Sequence, residues 1–138
     1  MFKRLTEYPD GMDSSRMGEI VVTYADLVLA FGEPSEGDEY KVSGEWMFFD
    51  EDSGAYFAIY DWKCTNLYDA DLPSIEQFRS SNRACTFNIG GNHVMPVQEF
   101  INGVKGRIEW IKVGKPFQEI VLGAPAPKLT GVTGGFYE

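Results

Sequence analysis

His93, Cys64 and Cys85 are the chain's whole supply of imidazole and thiol, and their spacing matches no metal-binding signature. A metal centre needs three or four such ligands or carboxylates brought together, so no metal is expected. Nucleophilic catalysis has no firmer footing. There is no G-x-S-x-G turn, and a Cys85–His93 pair would rest on chance proximity. Neither catalysis nor a cofactor is expected. One backbone feature could hold an anion: Gly90, Gly91 and Asn92 stand ahead of an expected helix, whose first N–H groups are free to bind a phosphate. No Walker lysine and no G-x-G-x-x-G run accompanies them. A nucleotide-like small ligand at Gly90, Gly91 and Asn92, with a stacking Trp or Tyr, is therefore the alternative reading.

Carboxylates are the more abundant resource. The chain has 21 Asp plus Glu against 12 Lys plus Arg, a net charge of −9 that disfavours direct contact with a nucleic-acid backbone or an anionic membrane. Residues 1–76 carry −12 and residues 77–138 carry +3, and the stretch 33–52 holds eight acids against the single Lys41. Carboxylates spaced along a strand and its loops can imitate phosphates and enter a basic groove. Glu36, Asp38, Glu39, Asp50, Glu51 and Asp52 are the candidates for pairing with such a partner, with Trp46 and Trp62 as aromatic anchors.

These groups need a scaffold. At 138 residues, with 43% apolar and 14% aromatic side chains, the chain can build one aromatic-rich core without disulfides or metals. Two cysteines make no disulfide framework, and neither a signal-like apolar segment nor an 18-residue apolar run occurs, so a cytoplasmic protein is expected.

Residues 1–18 show no periodicity and are expected as a mobile arm, 19–122 as a single α+β domain and 123–138 as a Gly/Pro-rich tail. Thr23 is the expected N-cap of a helix ended by Gly32 and Pro34, with Tyr24, Leu27, Val28 and Phe31 on its buried face. Residues 40–49 and 55–63 alternate about the turn 50–54 as an antiparallel hairpin with aromatics on both faces, one for the helices and one partly covered or a contact surface. Ser74 and Gln77 have capping-box spacing for a short helix. Residues 84–89 read as a third strand, 92–104 as a second core helix, and 107–113 and 118–122 as further strands. The expected architecture is an antiparallel sheet of three to five strands packed against two helices.

The segments Tyr24–Leu27, Phe31–Pro34, Ile59–Lys63 and Asn88–Gly91 together resemble a family of small proteins of tailed bacteriophages, over about residues 20 to 104. In that family a helix, a hairpin, a strand ending in Ile-Gly-Gly and a closing helix follow in this order, with no assigned activity. This chain departs from the pattern by the insertion at 64–84, by Asn88 and by the segment from Lys105 onward. The resemblance implies a phage accessory role in the host cytoplasm. Together with the acidity it makes a non-catalytic inhibitor of a host defence or nucleic-acid-handling protein the leading expectation.

Overall fold

The computed structural model describes residues 2–38 and 41–114. They form an α+β fold: strands β1 (Phe2–Leu5), β2 (Ser15–Val22), β3 (Ser35–Glu36), β4 (Gly44–Asp50), β5 (Tyr56–Tyr60) and β6 (Cys85–Gly91), with helices α1 (Tyr24–Phe31), α2 (Ile75–Ser80) and α3 (Val97–Lys112). The sheet runs β1-β4-β5-β6-β2 and is antiparallel throughout, β3 pairing with the start of β4. The six strands and three helices of the described residues extend the expected three to five strands and two helices.

Local chemistry sets the helix ends. Thr23 Oγ1 accepts from Asp26 N at 2.9 Å, and Gly32, at φ 86°, closes α1 by donating to Val28 O at 2.8 Å. Three donors from elsewhere in the fold meet the carbonyls left over there: Arg4 reaches Phe31 O and Glu33 O at 2.6 and 2.9 Å, the Trp46 indole reaches Gly32 O at 2.9 Å, and Arg107 reaches Ala30 O at 3.4 Å. Ser74 and Gln77 make the expected capping box of α2, whose Phe78 enters the core beside Tyr24 and Phe87. The 64–84 insertion thus contributes to the core.

One sheet face packs on the helices. Trp46, Phe48, Phe57, Ile59, Phe87 and Ile89 point to it and meet Leu27 and Phe31 of α1 and Phe100 and Val104 of α3. Phe57 and Phe100 stack at 4.3 Å between centroids.

Two expectations are corrected. Residues 1–18 do not form a mobile arm: β1 pairs with residues 47–50, Phe2 lies in the core, and β2 begins at Ser15. Their pairing partners are distant in sequence, so no local pattern marks them. Residues 107–113 are not a strand either. They continue α3 to Lys112, because Ile101, Val104 and Ile108 recur at helical spacing and bury one face, and a seven-residue window fits both periods. The expected strand 118–122 and the tail 123–138 lie outside the described residues.

The order of the strands has a geometric consequence. Strands β1 and β2 are consecutive in the chain but lie at opposite edges, so residues 6–14 must cross about 19 Å of sheet. They cross on the face away from the helices, where Met12 packs against the cluster of Met47, Tyr56 and Ala58, and Tyr8 meets Tyr56. Asn92 fastens this strap: its Nδ2 donates to Gly54 O and to Met12 Sδ, while its Oδ1 accepts from Tyr56 N.

Gly91 sits where β6, the strap's exit and β5 converge. A Cβ there would lie 2.6 Å from Met17 Sδ and 2.7 Å from Tyr56 O. Gly91→Ala is expected to lower unfolding free energy by about 1–3 kcal/mol, the usual cost of overpacking, as measured by urea denaturation.

Candidate functional site

Period-two alternation sends Glu45, Met47 and Phe49 of β4 and Tyr56, Ala58 and Tyr60 of β5 to the outer face. The registers place Met47, Ala58, Gly90 and Arg16 in one row across four strands and Glu45, Tyr60, Asn88 and Glu19 in the next. Ala58 and Gly90 leave the first row low at its middle. On one side stand Tyr56 and Tyr8, edge to face with centroids 5.7 Å apart, and on the other Tyr60 and Trp62 at 6.2 Å. The result is an open cleft of about 280 Å³, bordered by Asp38, Val42 and Glu45 near β4 and by Ser14, Ser15 and Arg16 near β2.

The charges around this cleft are unevenly compensated. Arg16 is paired with Glu19 at 2.6 Å. Lys41 and Lys63 each hold an ammonium 5.5 Å from the Trp62 ring centroid and do not line the cleft. Asp38 Oδ1 accepts from Lys41 N and Val42 N, both at 2.9 Å, and so shapes the loop entering β4. Glu45 is half-buried, and its carboxylate has no ion pair or hydrogen bond among the described residues. Burial, then the charges of Asp38 and Asp61, raise its carboxyl above the ordinary 4.5. The Tyr56 phenol is pushed up by burial and then by Glu45, Tyr8 and Tyr60, and Tyr60 by burial, against Arg16 and a hydrogen bond with Asn88. Both phenols stay neutral at physiological pH.

The sequence candidates scatter over the fold. Trp46 cannot anchor a partner: it is 1% exposed, packed on Tyr24 and Phe87, and its indole N–H is spent on Gly32 O. Asp50 is buried and organises the hairpin turn, accepting from Asp52 N at 3.1 Å and Ser53 Oγ at 2.8 Å. Glu51 and Asp52 are exposed at that tip, where Glu51 pairs with Lys3 at 3.2 Å. Glu36 and Asp38 lie at the other end of the seven-residue β4, about 20 Å away, so the acids do not form one patch. Glu39 lies outside the described residues. Trp62, 40% exposed, does line the cleft.

The Gly90-Gly91-Asn92 anion cradle is also corrected. Gly90 and Gly91 are ladder residues of β6, paired on both sides, and α3 starts only at Val97, so their N–H groups do not open a helix. Gly90 contributes to the cleft floor, and Asn92 is a structural fastener.

None of His93, Asp61, Cys64 and Cys85 lines the cleft. His93 Nε2 lies 2.7 Å from Ser15 Oγ in an exposed contact with no carboxylate behind the ring. Asp61 is buried and latches the entrance to β4, accepting from Ser43 N at 2.7 Å, from Ser43 Oγ and from Gly44 N at 3.2 Å. Cys64 and Cys85 are free thiols, and burial, then Asp61 and Cys85, push Cys64 up to about 11, where it is no nucleophile at neutral pH. No group of three metal-ligating side chains occurs among the described residues, and no helix of theirs is long and apolar enough to cross a membrane. The arrangement suits recognition of a cation by aromatic walls and a carboxylate. No protein-family model matches the chain, and no curated protein is significantly similar to it.

Sequence reasoning counted Glu45 only as one of the eight acids of 33–52, and missed Tyr8, Arg16, Tyr56 and Tyr60. Alternation alone put aromatics on both faces of the hairpin, which was the available signal for the last two.

Glu45 holds its proton to higher pH in the folded chain than in the unfolded one, so the folded state binds more protons between those two values. Stability is therefore lost as pH rises through that window. Glu45→Gln is expected to raise the thermal midpoint at pH 7, and the gain should shrink as pH is lowered to 4.

Proposed function

We infer that the protein is a non-catalytic binding protein that takes a partner with a basic surface onto the outer face of its sheet. In the phage setting its sequence suggests, that partner is a host defence or nucleic-acid-handling protein, inhibited by occupation of its basic surface in the host cytoplasm. The observation that carries this reading is the cleft itself: the rings of Tyr8, Tyr60 and Trp62 and a half-buried Glu45 carboxylate without an ion pair among the described residues, on the face opposite the described helices. A net charge of −9 adds long-range attraction for a cationic partner. Phosphate-bearing ligands are poorly served, because the cation lining the cleft, Arg16, is already paired with Glu19. The exposed tip acids Glu51 and Asp52 contribute to steering and not to the contact.

The test is affinity capture from host lysate at two salt concentrations, comparing the wild type with two double variants. A salt-sensitive basic protein should be retained by the wild type and by Glu51→Lys/Asp52→Lys, and lost from Tyr60→Ala/Trp62→Ala. The purified chain should inhibit that protein's own activity. Equal retention by both variants, or retention without inhibition, contradicts the reading.

A further inference from the structure

We propose that the cleft on the outer sheet face is a recognition site for a single arginine side chain of a protein partner, held between tyrosine rings with its guanidinium on Glu45. The proposal rests on the binding reading above and specifies its chemistry.

Size comes first. About 280 Å³ lies just under the range of about 300–1,000 Å³ typical of sites for drug-sized molecules, and so suits one long side chain better than a nucleotide. Shape follows from the sheet. Ala58 and Gly90 make a flat floor, flanked by half-buried Tyr60 from β5 and by Tyr8 of the crossing segment, which is 50% exposed and covers the fully buried Tyr56. Rings so placed favour a cation, whose charge is attracted to the π-face.

Charge selects the sign. Glu45 lies directly across from Tyr60 in the β4–β5 register and lacks a cation among the described residues. Its charge is held away from water beside two further carboxylates, Asp38 and Asp61, so an entering cation relieves an existing cost. An entering anion would deepen that cost and would have to displace Glu19 from Arg16.

Planarity selects arginine over lysine. A guanidinium can lie flat on a tyrosine ring while its edge donates two hydrogen bonds to a carboxylate, whereas an ammonium is a point charge that cannot do both. Trp62 is a wall and not the main acceptor, because Lys41 and Lys63 already lie over its ring.

The experiment is a titration of the full-length chain with Nα-acetyl-arginine methylamide, followed by the indole N–H proton resonance of Trp62. The matching lysine, citrulline and AMP titrations serve as comparisons. The arginine compound should shift the resonance saturably, with citrulline and AMP binding at least about tenfold more weakly and lysine several-fold more weakly. Glu45→Gln, checked for folding by circular dichroism, should weaken arginine binding at least about tenfold. Citrulline or AMP binding as well as arginine, or an unchanged affinity in Glu45→Gln, overturns the proposal. If the arginine compound fails while Tyr60→Ala/Trp62→Ala still abolishes partner capture, the arginine site falls and the binding reading stands. If capture is indifferent to that double variant, the binding reading itself falls.

Discussion

Two strands consecutive in the chain lie at opposite edges of one sheet, and the rest of the outer face follows from that. The nine residues between β1 and β2 can span about 30 Å when extended, enough for the crossing with slack for a turn. Slack is used at Pro9–Met12, where Met12 N donates to Pro9 O and Gly11 adopts φ 71°. The strap covers the Met47–Tyr56 side of the face and stops short of Tyr60, and this partial cover turns a flat sheet surface into a cleft. A full helical layer would have buried Glu45. With no cover at all, Tyr8 would be missing from the wall.

The inner face makes the cleft rigid. The carbonyl end of α1 is met by donors from β1, β4 and α3, so the helix, the β1–β4 edge of the sheet and the closing helix are locked to one point. Arg4 and Arg107 each bring a charge to a helix terminus that favours it. Asp61 fastens the entry to β4 from the other direction and keeps Glu45 in register with Tyr60. Floor residues such as Ala58 therefore have little freedom, and a pre-organised site loses less on binding.

Legibility in the sequence tracks the distance over which each feature is decided. The Thr23 cap, the Gly32 stop, the Ser74–Gln77 box and the hairpin turn at Gly54 depend on residues within a few positions, and each stands as read. β1 depends on residues 47–50, and α3 beyond residue 104 depends on what lies beneath it, so neither had a local mark. The site divides the same way. Trp62 and Trp46 read alike in the sequence as candidate anchors, and only the topology sends Trp46 to the helices and Trp62 to the cleft. Asp50 looks like any tip acid until its carboxylate is seen to accept from its own turn. Glu45 reads as an ordinary strand carboxylate, and only its burial in the fold and the charges of Asp38 and Asp61 set it apart.

Glu45 is thus a local cost carried by the fold, one that the proposed partner would relieve, a common form of trade between stability and function. The claim that the outer face is the working surface is tested most directly by hydroxyl-radical footprinting of the protein with and without its captured partner. Tyr8 and Trp62, 50% and 40% exposed, lie on that face, while Leu29 on α1 and Val113 after α3, 51% and 61% exposed, belong to the helical layer. The account predicts that Tyr8 and Trp62 become protected and that Leu29 and Val113 stay as reactive as before. Protection of Leu29 and Val113 with Tyr8 and Trp62 unchanged would contradict it.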